Sequence, residues 1–282
     1  MSKARIELNN YAGLHLRAVL ETAPYEQVIG IAQHYDDLRS DGVSLASVLI
    51  ACILISSSQT VISELHGIPL LIKDNIATDV ELGNSIHISI CLLLTHLLSP
   101  GMKTTAGSYA LVNSVVPGDA TVIAKLRAKG AIILGKASLS EFANFKASSV
   151  ENGWSAIGGQ CQSAYVEGGF PAGGDPSGSS SGSAVGVSAG FAPASLGSET
   201  DGSIVSPAAR AAAYGIKPSI GLVSRSGVIP IAASQDTVGP IAKSTYDAAL
   251  LLQMIAGYDE KDQASEPFWP PPSLSPSLIC RR

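Results

Sequence analysis

The chain has 282 residues and carries 18 Lys and Arg against 23 Asp and Glu, a formal net charge of −5. With 46% hydrophobic and only 15% charged residues, it is too apolar for a disordered protein and long enough to bury a large core. The acidic balance and the lack of a basic block give nucleic-acid binding no electrostatic footing.

The N-terminus, MSKARIELNN, enters mixed polar sequence without an apolar signal-peptide core, so the cytoplasm is the expected location. Residues 16–40, LRAVLETAPYEQVIGIAQHYDDLRS, repeat apolar residues at three- and four-residue spacing, which predicts helix broken near Pro24. Residues 1–60 together read as an N-terminal helical region. The run Val43–Ile62 has the length of a bilayer span, but its second half is Ser, Gln and Thr, so it is expected to be a buried helix and a membrane partner is not. In LHGIPLLIKDNI, Leu65 to Ile76, a turn at Gly67-Ile68-Pro69 leads into a short buried strand. Lys73, Asp74 and Asn75 then fall at the strand's end, where α/β enzymes expose reactive groups.

The segment Asp119 to Phe145 is the clearest supersecondary signal. Asp119 is positioned to cap a helix bearing Val122, Ile123 and Leu126, with Gly130 ending it. AIILG then reads as a fully buried strand, and Ser138 to Phe145 as the start of another helix. An apolar strand between helices implies a sheet covered on both faces, an α/β fold with a central sheet. STYDAALLLQMIAG predicts a later helix with Ser244 or Thr245 near its cap and Gly257 near its stop. The proline density of PFWPPPSLSPSLICRR marks residues 261–282 as a tail.

Between these elements, Pro176 to Pro207 reads PSGSSSGSAVGVSAGFAPASLGSETDGSIVSP. Its composition is that of a flexible linker, but AVGVSAGFAPASLG is small and apolar enough to pack against backbone. Gly178-Ser179-Ser180-Ser181-Gly182 fits the G-x-S-x-G nucleophile elbow, yet that fold needs a histidine downstream. All five histidines, His15, His34, His66, His87 and His96, lie upstream. No Gly-Lys-Ser/Thr follows the glycines, so no phosphate loop is present. HExxH and paired cysteines are absent, and Cys52, Cys91, Cys161 and Cys280 form no framework. Neither metal nor cofactor is expected. Lysine is the next candidate base, and Lys73, after Pro69-Leu70-Leu71-Ile72, stands where burial lowers an amine's pKa. A salt bridge from Lys73 to Asp74 or another carboxylate is the alternative.

Six blocks carry a resemblance: LHGIPLLIKDNIAT, MKTTAGSYAL, DATVIAKLRAKGAIILGKASLSEF, GSSSGSAV, GSETDGSIVSPAA and GIKPSIGLVSRSG. In order and spacing they resemble the amidase signature family, of the fungal amidase type, over residues 60–257. The resemblance implies a mixed central β-sheet with helices on both faces, incomplete here, with its core at 61–260. It implies a Ser203 nucleophile, Ser179 as bridging serine after a cis Gly178–Ser179 peptide, and Lys73 as base. Backbone N–H groups of Thr200, Asp201, Gly202 and Ser203 are the expected oxyanion donors. The implied activity is hydrolysis of a small-molecule amide through an acyl-enzyme. The alternatives are a catalytically inactive relative and a glutamine-hydrolysing amidotransferase subunit.

The sequence departs from that pattern at several places. Ser177 and Ser181 stand where the family has glycine, Asp201 replaces another glycine, Glu199 replaces the usual aspartate, and Val205 replaces its arginine partner, leaving Arg210 as a substitute. The family is longer at the C-terminus. Residues 84–101, NSIHISICLLLTHLLSPG, read as an insertion, since ELG and MKTTAGSYAL join smoothly without them.

Overall fold

The computed structural model describes residues 1–40, 65–79, 102–147, 149–266 and 269. The run Val43–Ile62, the insertion at 84–101 and nearly all of the tail beyond residue 266 lie outside the described residues. In chain order the elements are α1 (Ser2–Asn9), β1 (Val19–Thr22), α2 (Tyr25–Ser40), β2 (Pro69–Lys73), α3 (Thr121–Ala128) and β3 (Ile132–Ala137). A two-stranded hairpin, β4 (Trp154–Ser155) and β5 (Gly159–Gln160), comes next. Then follow α4 (Ser181–Ser188), β6 (Ala194–Glu199), α5 (Val205–Arg210), β7 (Tyr214–Gly215), β8 (Thr237–Ala242) and α6 (Thr245–Ile255).

One six-stranded sheet runs β1-β3-β2-β6-β8-β7. Strands β3, β2 and β6 are mutually parallel, while β1 and β8 pair antiparallel with them and β7 antiparallel with β8. Alternation along β2 divides the core into two layers. Leu70 and Ile72 join Ile133, Leu196 and Val238 beneath α3 and α6, which contribute Val122, Ile123, Leu126, Leu251 and Ile255. Leu71 joins Leu134 and Val185 on the opposite side, and Ala184, Ala208 and Ile241 continue that layer under α4 and α5. The mixed sheet is therefore covered on both faces.

Three local expectations are corrected. Residues 19–22 are a strand, not the first half of a helix. Val19, Glu21 and Thr22 pair with Ala137, Lys136 and Gly135, and the Asn10 side chain clamps Val19 at both its N–H (2.9 Å) and its carbonyl (2.7 Å). Tertiary pairing overrides helical periodicity here. The cap of α3 is Ala120 rather than Asp119, whose carboxylate instead accepts from Asp79 N and Arg127 Nε, both at 2.7 Å. Ser138 to Phe145 forms only a short 3-10 turn over Glu141–Asn144, with positive φ at Phe142 and Ala143. Its polar groups are taken up by distant partners: Ser140 Oγ accepts from Gly153 N and Glu141 from Ala156 N.

The Gly/Ser segment is not a linker. Residues 181–187 of α4 are buried. A Cβ on Gly182 would collide with Ala18 O and the backbone of Ser138, and one on Gly186 would sit 2.6 Å from Leu71 Cδ1. Helix and sheet approach at backbone distance, which only glycine permits.

Lys136, fully buried on β3, donates to Ile76 O (2.6 Å), Thr78 Oγ1 (3.3 Å) and Thr104 Oγ1 (3.0 Å). Thr78 also bonds across to Met102 O at 3.5 Å, and its N–H donates to Thr104 Oγ1 at 3.4 Å. The chain thus leaves at Thr78 and returns at Met102 through one closed neck. Removing residues 84–101 leaves a short connection between ends already held together, and loop-closure entropy favours the shorter loop. The deletion variant is expected to unfold cooperatively at a midpoint no lower than that of the full chain, measured by thermal circular dichroism. Loss of the cooperative transition would contradict this account.

Candidate active site

Lys73 ends β2, and its neighbour β6 runs parallel to it, so the carboxyl ends of both strands open on the same edge. Ligand crevices form at such edges in α/β sheets. The Lys73 side chain is fully buried, and its Nζ donates to Ser179 Oγ at 2.8 Å and to Ser198 O at 2.9 Å. Burial pulls its pKa down to about 7, against the opposing pull of the Glu199 and Asp236 carboxylates. The alternative pairing with Asp74 is not what forms. Asp74 Oδ2 accepts from Thr105 N (3.1 Å), the Thr105 hydroxyl and Gly107 N (3.2 Å), and its other oxygen lies 4.0 Å from Lys136 Nζ.

Ser179 lies in the turn entering α4, after a cis Gly178–Ser179 peptide bond. Ser203 lies in the loop between β6 and α5 and is 8% exposed. The two loops are tied by Ser180 N donating to Ser203 O at 3.0 Å, and Ser180 Oγ donates to the same Ser198 carbonyl that Lys73 uses, at 3.2 Å. The structure thus joins Lys73 to Ser179 directly and brings Ser203 beside them through backbone. Among the described residues, Ser203 Oγ itself makes no hydrogen bond. Ser177, one of the two serines standing for glycine, adopts φ +61°, a left-handed conformation costing about 1 kcal/mol in a residue with a Cβ. Ser181, the other, sits in α4 where no such penalty arises.

Glu199 is not left without a partner. Its carboxylate accepts from Gly202 N (2.8 Å), Ile204 N (2.6 Å) and Val205 N (2.9 Å), binding the loop and the first turn of α5. No salt bridge to Arg210 forms among the described residues. Of the four N–H groups expected as oxyanion donors, Gly202's is therefore already committed to Glu199. Those of Thr200, Asp201 and Ser203 donate to no described residue. The Asp201 side chain is exposed.

Ser198 and Asp236 were invisible to sequence reasoning. Ser198 acts through its carbonyl, which no side-chain pattern reveals. Asn75, which the sequence placed with Lys73 at the strand's end, donates from Nδ2 to Ser198 Oγ at 2.9 Å. Asp236 accepts from the Thr200 hydroxyl and from Ile231 N (2.7 Å) and Ala232 N (2.9 Å), holding a distant loop to the serine loop. Among the described residues no group of His, Cys, Asp and Glu is arranged to hold a metal ion. No helix among them is long and apolar enough to cross a membrane.

Several known proteins are similar to this chain. The Amidase family model matches residues 97–278. A probable amidase of Arabidopsis thaliana is 48% identical over 202 residues, 72% of this chain and 35% of that protein. A putative amidase of Schizosaccharomyces pombe is 39% identical over 248 residues, 88% of this chain and 35% of that protein. Among solved structures, native peptide amidase from Stenotrophomonas maltophilia superposes with a TM-score of 0.74 at 41% identity, covering 94% of this chain and 45% of that one. The chain thus spans about a third of the length of these curated relatives. By the family model, which covers more than half of it, the chain belongs to the amidase signature family.

Proposed function

We propose that this protein hydrolyses carboxylic amides to a carboxylate and ammonia or an amine, with Ser203 as nucleophile, Ser179 as proton relay and Lys73 as base. The observation that carries the reading is the 2.8 Å contact between Lys73 Nζ and Ser179 Oγ at a site dry enough to bring the amine's pKa to about 7. A neutral amine near pH 7 has a lone pair to accept the Ser179 proton, as Ser179 accepts that of Ser203. Ser203 Oγ then attacks the amide carbon. The resulting oxyanion meets the uncommitted N–H groups of Thr200, Asp201 and Ser203, whose loop Glu199 fixes in place. As the tetrahedral species collapses, the C–N bond breaks and the relay returns its proton to the leaving nitrogen. Water hydrolyses the Ser203 ester by the same relay in reverse.

A second reading rests on a different relative. A glutamyl-tRNA(Gln) amidotransferase subunit of Clostridium acetobutylicum is 43% identical over 204 residues, 72% of this chain and 36% of that protein. In that reading glutamine is the amide, and ammonia passes to a partner enzyme. Glutamine turnover that depends on an added partner would favour it.

Labelling with a fluorophosphonate tests the triad without requiring turnover. The probe is expected on Ser203, with Lys73→Ala slowing labelling about a hundredfold or more, the scale of a lost general base. Labelling at the wild-type rate in Lys73→Ala, or a folded protein that never labels, would sink the assignment. Because Lys73 must be neutral to act, the wild-type labelling rate should rise with pH through about 7 and level off above it. Glu199→Gln keeps the size but offers one oxygen to three N–H donors. It is expected to cost about 2 kcal/mol in urea denaturation and to slow labelling more than tenfold.

A further inference from the structure

Two buried charged groups take no direct part in the relay: Asp74, 1% exposed, and Lys136, fully buried. Asp74 follows Lys73 in the chain, and the donors to its carboxylate lie in one short segment. Its Oδ2 accepts from Thr105 N at 3.1 Å, from the Thr105 hydroxyl and from Gly107 N at 3.2 Å. Its backbone carbonyl accepts from Ala106 N, also at 3.2 Å. Ala106, between these bonds, adopts φ +51°, a left-handed conformation that disfavours a residue with a Cβ. Strain of this kind persists only where the surroundings enforce it. From Ala106 the contacts continue. Its carbonyl accepts from Phe142 N at 2.9 Å, and Ser140 N, two residues earlier, donates to Ser179 O at 3.2 Å. Lys136 braces the other end. Its Nζ lies 4.0 Å from Asp74 Oδ1 and donates to Thr104 Oγ1 and to Ile76 O, while Ile76 N closes the turn onto Lys73 O.

We propose that Asp74, with Lys136 as its counter-ion, is a positioning residue for the proton relay, fixing both members of the Lys73–Ser179 contact. Lys73 is held because it shares one turn with Asp74. Ser179 is held through the hydrogen-bonded path that runs from residues 105–107 to residues 140–142. Sheet register supports this division. Lys136 stands opposite Ile72 in the β2–β3 pairing, so it lies on the other face from Lys73 and grips the turn without entering the site. An ion pair kept for stability alone is often replaceable by apolar residues without loss. No apolar side chain could accept the three bonds that Asp74 Oδ2 takes. The inference rests on the reading of Lys73, Ser179 and Ser203 above.

The test follows fluorophosphonate labelling of Ser203 in the full chain against pH, in the wild type, Asp74→Asn and the double variant Asp74→Asn/Lys136→Met. Asparagine keeps the size but is a weaker, uncharged acceptor. Labelling of Asp74→Asn is expected to slow about tenfold or more. Its midpoint should move up from about 7 by about one unit, because a loosened amine regains water. The direction is diagnostic, since removing a carboxylate by itself favours the neutral amine and would move the midpoint down. The carboxylates that face Lys73, Glu199 and Asp236, are unchanged in every variant. Asp74→Asn also leaves Lys136 buried without its counter-charge, which should lower its resistance to urea. The double variant removes that charge and should regain stability while labelling stays slow and its midpoint stays high. An unmoved rate and midpoint in Asp74→Asn would overturn the positioning role and leave the triad standing. So would their return to wild-type values, together with stability, in the double variant. Where neither variant folds, Thr105→Val removes only the hydroxyl donor to Asp74. It is expected to label about threefold more slowly with the midpoint again raised, and wild-type values there overturn the proposal. A folded wild type that never labels overturns the triad, and this inference with it.

Discussion

A fully buried primary amine at the end of a strand is held against its own solvation. Bringing the Lys73 pKa from 10.5 to about 7 represents a cost to the charged form on the order of 5 kcal/mol. Two acceptors, Ser179 Oγ and Ser198 O, hold the amine in place of water. Each comes from a different segment that folds back onto the β2 edge. The parallel pairing of β2 with β6 brings Ser198 alongside, and the turn into α4 brings Ser179. If β2 were shifted by one residue, Lys73 would point to the opposite face of the sheet.

The loop carrying Ser203 depends on carboxylates rather than on cations. Glu199 gathers three N–H groups from below, and Asp236 gathers one hydroxyl and two N–H groups from the side. Both also bear on Lys73 electrostatically, opposing the effect of its burial. The same groups that shape the loop therefore moderate how far the amine's pKa falls. The replacement of the usual aspartate by Glu199, and of its arginine by Val205, leaves an anchor made entirely of backbone donors. Hydrogen bonds from several N–H groups favour the ionised form of a carboxylate.

Much of this was legible in the sequence because it follows local rules. The apolar PLLIK and AIILG strands, the α3 pattern and the Ser244-capped α6 are set by short-range periodicity and caps. The family blocks pointed to Lys73, Ser179 and Ser203 by number, and the first two meet at 2.8 Å. What the sequence did not disclose depends on distant partners. Residues 19–22 have helical spacing and become a strand because Asn10 and β3 claim their backbone. Asp119 has the chemistry of a cap and is drawn off by Asp79 and Arg127. Ser198 contributes a carbonyl, and Asp236 meets the site across a long sequence separation, where residue type carries no address.

The short helix α4 bears on how sequences of this kind are read. SGSAVGVS is as plain as any spacer, and a filter for low-complexity composition would set it aside as uninformative. Yet at Gly182 the backbone is met by two other chain segments at once, and at Gly186 by the side chain of Leu71. One added methyl group at Gly182 would have to displace Ala18 and Ser138, and with them the adjoining ends of β1 and β3. The simplicity of the segment records a lack of room at its two glycines, while Ser183 is kept by its hydrogen bond to Leu196 O. Composition here measures contact distance, and the plainest stretch of the chain is among the least free to change.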